Sequence, residues 1–390
     1  MQKTHAEITW QSWLPVIGLA FSAFVFNTTE FIPIGLLSAI AADFSINEAN
    51  AGLLITVYAW VVALMSLPLM LLTAKVERRK LLIILFALFI ISHLLSGIAW
   101  NFTVLVISRT GIACAHAVFW SITAPLAVRL APGGKKSRAL SLLMTGSALA
   151  TVLGLPLGRM IGQAMGWRMT FLCIAVVAAL IALALTKTLP KLPSINAGSL
   201  KILPTLFKRP LLMLAYLLTA LMVTAHFTAY TYIEPFIQNI AGFSADTTTF
   251  ILFVFGAAGI LGSIIFARFS ERNPAKALTI PIGVIFLSLM LILPLSFSLT
   301  GIYLIAIFWG MAIIAIGLGL QSKVLSAAPD ATDIATSLFS AIFNIGIGAG
   351  ALVGSQVSIH LKMSAVGFAG AFFALMALTL CFRFTHLLKQ

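Results

Sequence analysis

The sequence predicts an all-α membrane protein: twelve transmembrane helices in two six-helix bundles, with both termini cytoplasmic. Three observations predict it. The composition is too apolar for water, apolar runs of spanning length recur along the chain, and basic residues collect in alternate connectors. Of 390 residues, 61% are hydrophobic and only 9% charged, against roughly 25% charged in a soluble domain. Mean hydropathy is +1.10. In water such a chain would expose large apolar patches and aggregate; lipid tolerates it.

A helix needs roughly 20 apolar residues to cross a bilayer. Such runs fall near 13–37, 51–73, 80–100, 103–128, 138–162 and 168–187, then near 210–235, 247–268, 276–297, 301–322, 333–357 and 364–386. The first is too long for the core of a cleavable signal peptide and reads as a spanning helix. The gap between the sixth and seventh carries Pro190, Pro193, Asn196, Gly198 and Pro204 among basic residues. The domains are therefore an N-terminal bundle over 1–187, a cytoplasmic linker over 188–209 and a C-terminal bundle over 210–390.

Sidedness follows from the 24 Lys and Arg. After the second span come Lys75, Arg78, Arg79 and Lys80, and after the fourth Arg129, Lys135, Lys136 and Arg138. The linker region holds Lys187, Lys191, Lys201, Lys208 and Arg209; Arg268, Arg272, Lys276 and Lys323 follow the eighth and tenth spans. Lys3, Arg383 and Lys389 lie at the termini, and the opposite connectors contain only Lys362. Basic connectors stay in the cytoplasm, and six helices per half give both halves one orientation, as in parallel-repeat transporters. The net charge of +14 thus reports membrane topology, and a nucleic-acid surface is not indicated. Cys114, Cys173 and Cys381 sit in apolar runs and read as small hydrophobes. No His or Cys spacing suits a metal, so no cofactor is expected.

Polar residues inside the spans are the informative ones. Glu30 lies mid-helix in Asn27-Thr-Thr-Glu30-Phe-Ile-Pro33. A carboxylate there costs at least ~2.5–3.5 kcal/mol, so it needs a partner or a task. The task is proton carrying; the alternative is a structural acid held permanently by arginine or neighbouring hydroxyls. Arg109, Ala113, His116 and Trp120 form one stripe of the fourth span, offering Arg109 as the partner. His226, Tyr230 and Glu234 repeat the device on the seventh, Glu234 near the water-reachable outer end. His93 reads as a satisfied core histidine, and Arg159 and Arg168 as structural side chains snorkelling to the interface. Gly146, Gly154, Pro156, Gly158 and Gly162 let the fifth span bend and pack closely. Gly346, Gly348, Gly350 and Gly354 repeat the theme in the eleventh, and the shared Gly-x3-Gly frame points to duplication.

The chain resembles the major facilitator superfamily in its twelve-helix drug/proton antiporter branch, and within it the bacterial sugar efflux transporters that export arabinose and thiogalactosides such as IPTG. The resemblance spans essentially the whole chain. Its specific stretches are Phe26-Asn-Thr-Thr-Glu30-Phe-Ile-Pro-Ile-Gly35, Gly154-Leu-Pro-Leu-Gly158-Arg, Gly166-Trp-Arg-Met-Thr-Phe171 and Pro329-Asp-Ala-Thr-Asp333. It implies that Glu30 matches the branch's proton-carrying acid and Arg109 its fourth-helix arginine. The branch's Gly-Pro-x-x-Gly-Gly is altered here to Gly154-Leu-Pro156-Leu-Gly158-Arg159. The loop after the second span keeps only Arg79 and Lys80 of the pattern Gly-x3-Asp-Arg-x-Gly-Arg-Lys. Leu71, Lys75, Val76 and Arg78 replace the rest, and Glu77 is the candidate substitute acid for a latch there.

The expectation is a proton-coupled exporter of small sugars and thiogalactosides, working by alternating access in a bacterial inner membrane. Glu30, Arg109 and His116 couple protons; Asn27, Glu30, Tyr58, Trp60, His116, Trp120, His226, Tyr230, Glu234, Trp309 and Asn344 contact substrate. The partners are a small sugar or drug-like molecule, protons and lipid, with the chain a monomer and no nucleic acid bound. A multidrug/proton antiporter shares these features. An enzyme would need a constellation such as His-Glu-x-x-His or Gly-x-Ser-x-Gly, neither of which occurs. Gly133-Gly-Lys-Lys-Ser137 lacks the P-loop order, and two unequal halves do not readily supply a channel filter.

Overall fold

The computed structural model describes residues 10–193, 203–270 and 272–388. Lys3, Asn196, Gly198, Lys201 and Lys389, invoked above, lie outside the described residues. Among the described residues, twelve helices are long and apolar enough to cross a membrane: α1 Trp10–Gly35, α2 Glu48–Leu72, α3 Arg78–Gly97, α4 Phe102–Arg129, α5 Arg138–Met165, α6 Trp167–Thr188, α7 Pro210–Tyr230, α8 Ala245–Ser270, α9 Pro274–Leu295, α10 Leu299–Ala327, α11 Ile334–His360 and α12 Met363–Arg383. No strand occurs among the described residues. In hydrocarbon every backbone group must be paired within the protein, which a helix achieves inside one segment. Phe21, Leu64, Ile91, Leu180, Ile265 and Phe372 point outward, as lipid-facing positions should.

Asn47, Asn101 and Ser298 each accept a bond from a backbone amide of the first turn that follows, satisfying donors that a helix start leaves free. Glycine permits close helix approaches inside each half. In the first, α5 packs on α1, with Gly154 against Thr28 and Gly158 against Ile32. In the second, α11 packs on α7, with Gly350 against Thr224 and Phe227, and Gly354 against Thr228 and Tyr232. The same contact is thus built twice, six helices apart.

The irregularities that shape the site lie in α1, α5 and α7. α1 stops at Gly35, Leu36 leaves the helical region (φ −122°, ψ 12°), and a short helix Leu37–Asp43 follows. α5 contains a π turn over Ala150–Gly154, the kind of bulge that bends a helix. The seventh apolar run is not continuous to 235: α7 ends at Tyr230, and Ile233–Pro235 and a π turn Phe236–Ile240 come after a turn. Proline 235, unable to donate to a helix ladder, sits in that break.

The halves meet along a seam of α1 with α7, α2 with α11 and α5 with α8. Phe31 and Phe227 stack at 5.8 Å. Thr56 Oγ1 donates to Gly348 O (3.2 Å) and Trp60 Nε1 to Ile345 O (3.3 Å). Tyr232 Oη reaches Ala49 O at 3.4 Å, and Asn239 Nδ2 reaches Glu48 Oε1 at 3.2 Å. These contacts gather toward the end opposite the basic connectors, called the outer end below.

At the basic end Glu77 caps α3, accepting from the amides of Arg79 and Lys80 at 2.9 Å and from Leu192 at 2.6 Å. Slight desolvation works against it, but the Leu192, Arg79 and Lys80 amides hold its carboxyl below the usual range. Glu77 therefore ties the start of the linker to the 2–3 loop. Arg129 Nη1 adds a bond to Pro193 O at 2.9 Å. In the other half Arg209 grips Asp330 in a two-pronged pair, at 2.6 and 2.7 Å, and that hydrogen bonding draws the Asp330 carboxyl down to about 2.

Candidate functional site

Pro33 has no amide hydrogen, so the carbonyl of Thr29, four residues earlier in α1, lacks its helical donor. Arg109 of α4 supplies one: Nη1 donates to Thr29 O at 2.8 Å, and Nη2 to Glu30 O at 3.2 Å. The guanidinium also lies 4.2 Å over the Tyr58 ring of α2, a cation–π contact in a desolvated setting. Arg109 is wholly buried. The sequence expectation that it grips the Glu30 carboxylate is corrected here: it grips main-chain oxygens on either side of that side chain.

The carboxylate has a different neighbour. Glu30 Oε2 is 3.8 Å from His116 Nε2, about two helical turns beyond Arg109 on α4. Tyr58 and Trp120 border the imidazole, with ring centroids 5.7 and 6.2 Å from it. Phe26 is stacked between Phe89 (4.1 Å) and Phe119 (4.0 Å), a dry wall beside the acid. His93 is satisfied on both nitrogens, by Thr29 Oγ1 at 2.7 Å and Phe89 O at 2.8 Å. Four polar atoms are buried here without a hydrogen-bond partner among the described residues: Tyr58 Oη, His116 Nδ1, Arg109 Nε and Thr28 Oγ1. Buried polar groups are rarely left so, and a cavity ligand or water is the usual remedy.

The second half carries an aromatic cluster. Trp309 Nε1 of α10 donates to His226 Nδ1 of α7 at 2.9 Å, which makes Nδ1 the unprotonated nitrogen and the ring neutral. Tyr230 stacks on His226 at 4.6 Å and on Phe255 of α8 at 4.7 Å. Asn344 on α11 bonds Ser340 O at 3.0 Å, with its Oδ1 unpartnered.

Other expected site residues stand elsewhere. Trp60 lies over Gly348 and bonds α11 across the seam, so it serves the join between halves. Asn27 donates to Ser147 Oγ of α5. Glu234 does not extend the His226–Tyr230 stripe, because the helix breaks between them. Nor is it open to water: it is 2% exposed, and Arg159, expected to snorkel, is 3% exposed. Their side chains pair across the seam at 3.0 Å. Arg168, by contrast, pairs with Asp43 at 2.6 Å in a half-exposed position.

Sequence reasoning missed Thr29, Phe26, Phe89, Phe119 and Phe255. The Thr29 carbonyl was findable, since any proline in a helix orphans the carbonyl four residues back. The phenylalanines carried no signal, being six-membered rings in a chain with 29 Phe.

The sequence model of the Major Facilitator Superfamily matches residues 19–351. Among solved structures the chain is similar to a bacterial homolog of the human lysosomal transporter Spinster. In its inward-facing, unoccupied conformation the TM-score is 0.75 at 16% identity, covering 98% of each chain. In its inward-facing, occupied conformation the TM-score is 0.74 at 18% identity, covering 96% of each. At such identity the likeness is one of fold.

Proposed function

Because the chain belongs to the Major Facilitator Superfamily, and so is a secondary transporter acting on a small molecule in a bilayer, we propose that it is a proton-coupled exporter of small neutral sugars and thiogalactosides in a bacterial inner membrane. The observation that carries this reading is the Glu30–His116 contact beside an arginine already committed to main-chain carbonyls. Glu30 is an intramembrane acid whose carboxylate is not locked to a permanent cation. It can take up and release a proton without stranding Arg109, which is the requirement for a carrier.

The polar atoms left unpartnered around it, Tyr58 Oη and His116 Nδ1, are neutral donors and acceptors suited to hydroxyl groups. The single acid lies beside a buried arginine, and that positive charge opposes a lipophilic cation. These features favour a neutral polyol. The resemblance to sugar efflux transporters narrows it to arabinose-like sugars and thiogalactosides. The His226–Tyr230–Phe255–Trp309 cluster would suit a sugar's apolar face or a flat drug-like molecule equally, which keeps multidrug export as the second reading.

In this mechanism the two bundles rock about the midplane site. Substrate and proton stabilise different openings, so inward proton flow drives export. Proton flux in liposomes, read against arabinose, IPTG, amino acids and lipophilic cations, tests the substrate. The expected result is flux with the first two alone; flux with the cations would instead establish the multidrug reading. Glu30→Gln keeps shape but carries no proton. It should abolish accumulation driven by a pH gradient in inverted vesicles while binding remains measurable, and retained accumulation would place the carrier elsewhere.

A further inference from the structure

A second buried charge site lies at the outer end, away from Glu30. Its acid, Glu234, follows α7 in the C-terminal half; its base, Arg159, is on α5 in the N-terminal half. Beyond their 3.0 Å contact, each holds the opposite half by further bonds. Glu234 Oε2 accepts from the amide of Ser38 at 3.0 Å. Arg159 Nε donates to Thr249 Oγ1 at 2.9 Å, and Nη2 is 3.5 Å from Ala245 O, both on α8. Arg159 Nη1 also donates to Gly35 O, and Gln238 Nε2 to Glu234 Oε1.

The break in α1 explains why the pair sits there. Gly35 is the last residue of α1, and Ser38 lies in the first turn of the short helix beyond Leu36. A carbonyl at a helix end favours a cation and an amide at a helix start favours an anion. The interruption therefore presents one acceptor to Arg159 and one donor to Glu234, and the ion pair bridges the break. Five segments, α1, the short helix after it, α5, α8 and the segment after α7, converge on it. Each charge is almost wholly buried, so removing either partner leaves the other uncompensated in the dry seam, the costly way to break such a pair. When the outer end opens, water can replace the lost partners.

We propose that Arg159 and Glu234 form the lock that holds the outer end shut and sets the balance between the two openings of the transporter. They act on the site through the helices they join, as positioning residues. The coupling acid and the lock share α1: Arg109 holds the carbonyls of Thr29 and Glu30, and Arg159 that of Gly35. The inference needs only that the two halves move apart at this end, and stands whether or not the cargo is a sugar or Glu30 carries the proton.

The test uses a reporter cysteine in the seam. Thr56 is 4% exposed, with its hydroxyl on Gly348 of the other half. Thr56→Cys, in protein lacking the native cysteines, is labelled with a membrane-impermeant maleimide in right-side-out vesicles. No substrate or gradient is applied, so the result is independent of the transport reading. Arg159→Gln and Glu234→Gln should each raise the labelling rate by about tenfold or more, a shift of the two-state balance. The double variant should add little to either single one, since both open the same lock. Arg168→Gln, which breaks a pair inside one half, should leave the rate unchanged. A variant that merely loosened the fold would also expose Ser96, wholly buried inside the N-terminal half near the outer end of α3; protein carrying Ser96→Cys as its sole cysteine must stay unreactive. Unchanged Thr56→Cys labelling in both single variants, or equal labelling of Ser96→Cys, overturns the lock.

Discussion

At the residue scale, the site is organised by what one proline removes. Pro33 deprives Thr29 O of its helical donor, and a planar guanidinium then spans Thr29 O and Glu30 O while its face covers Tyr58. Lysine offers a compact ammonium that cannot make this fork or stack as a plane. Arg109→Lys should therefore leave at least one buried carbonyl unpaired, a cost of about 1–3 kcal/mol, and slow transport by at least about tenfold. Stability in detergent and transport in vesicles are the two readouts; full activity with an unchanged melting temperature would show that charge alone suffices. That an acid, an arginine and a histidine would meet was legible from spacing: Arg109 and His116 share a face of one helix, and Glu30 is costly in lipid. Which oxygen the arginine would hold was not, because the stripe fixes a direction and not a hydrogen bond. Glu234 misled for a related reason. The i, i+4, i+8 count assumed an unbroken helix, and Pro235 marked the break that moved it to Arg159.

At the scale of elements, small residues decide how closely helices approach, and the glycines of α5 and α11 were readable as such. What each faces was not, since a Gly-x3-Gly frame names no partner. Gly350 lies against α7 so closely that an added Cβ would fall 2.7 Å from Thr224 O and 2.8 Å from the Phe227 Cβ. Gly317 on α10 has open space in the same direction. Gly350→Val should destabilise by about 1–3 kcal/mol through overpacking. Gly317→Ala should change stability by no more than about 0.5 kcal/mol, or raise it slightly through helix propensity. Thermal midpoints in one detergent check both; equal midpoints for the two variants would mean that the α7–α11 approach is not tight in solution. The π turn of α5 and the break of α1 flank that same kind of contact in the first half. The packing is duplicated, and so is a break toward the outer ends of α1 and α7, whereas the π turn of α5 has no counterpart in the continuous α11.

For the whole molecule, the number of spans was legible because hydropathy measures the one property a bilayer demands of every segment. The closed outer end was not, since closure is a relation between helices far apart in sequence. Orientation rests on charge alone. Glu77, Arg129 and the linker start at Leu192 and Pro193 are joined at the basic end, and the Arg159–Glu234 pair lies at the other. If basic connectors face the cytoplasm, the Asn47 loop and the Ala241 turn are outside and the linker is inside. Cysteines placed at Asn47 and Ala241 should then react with an impermeant maleimide in intact cells. One at Asn196 should react only after permeabilisation. Asn47 and Ala241 follow α1 and α7, equivalent helices of the two halves, so they must label alike if each half crosses the membrane an even number of times. Asn196, in the connector between the halves, must then behave oppositely to both. External labelling at Asn196, or opposite behaviour of Asn47 and Ala241, would contradict two bundles of one orientation, and the lock at Arg159 and Glu234 would no longer stand on the outer side.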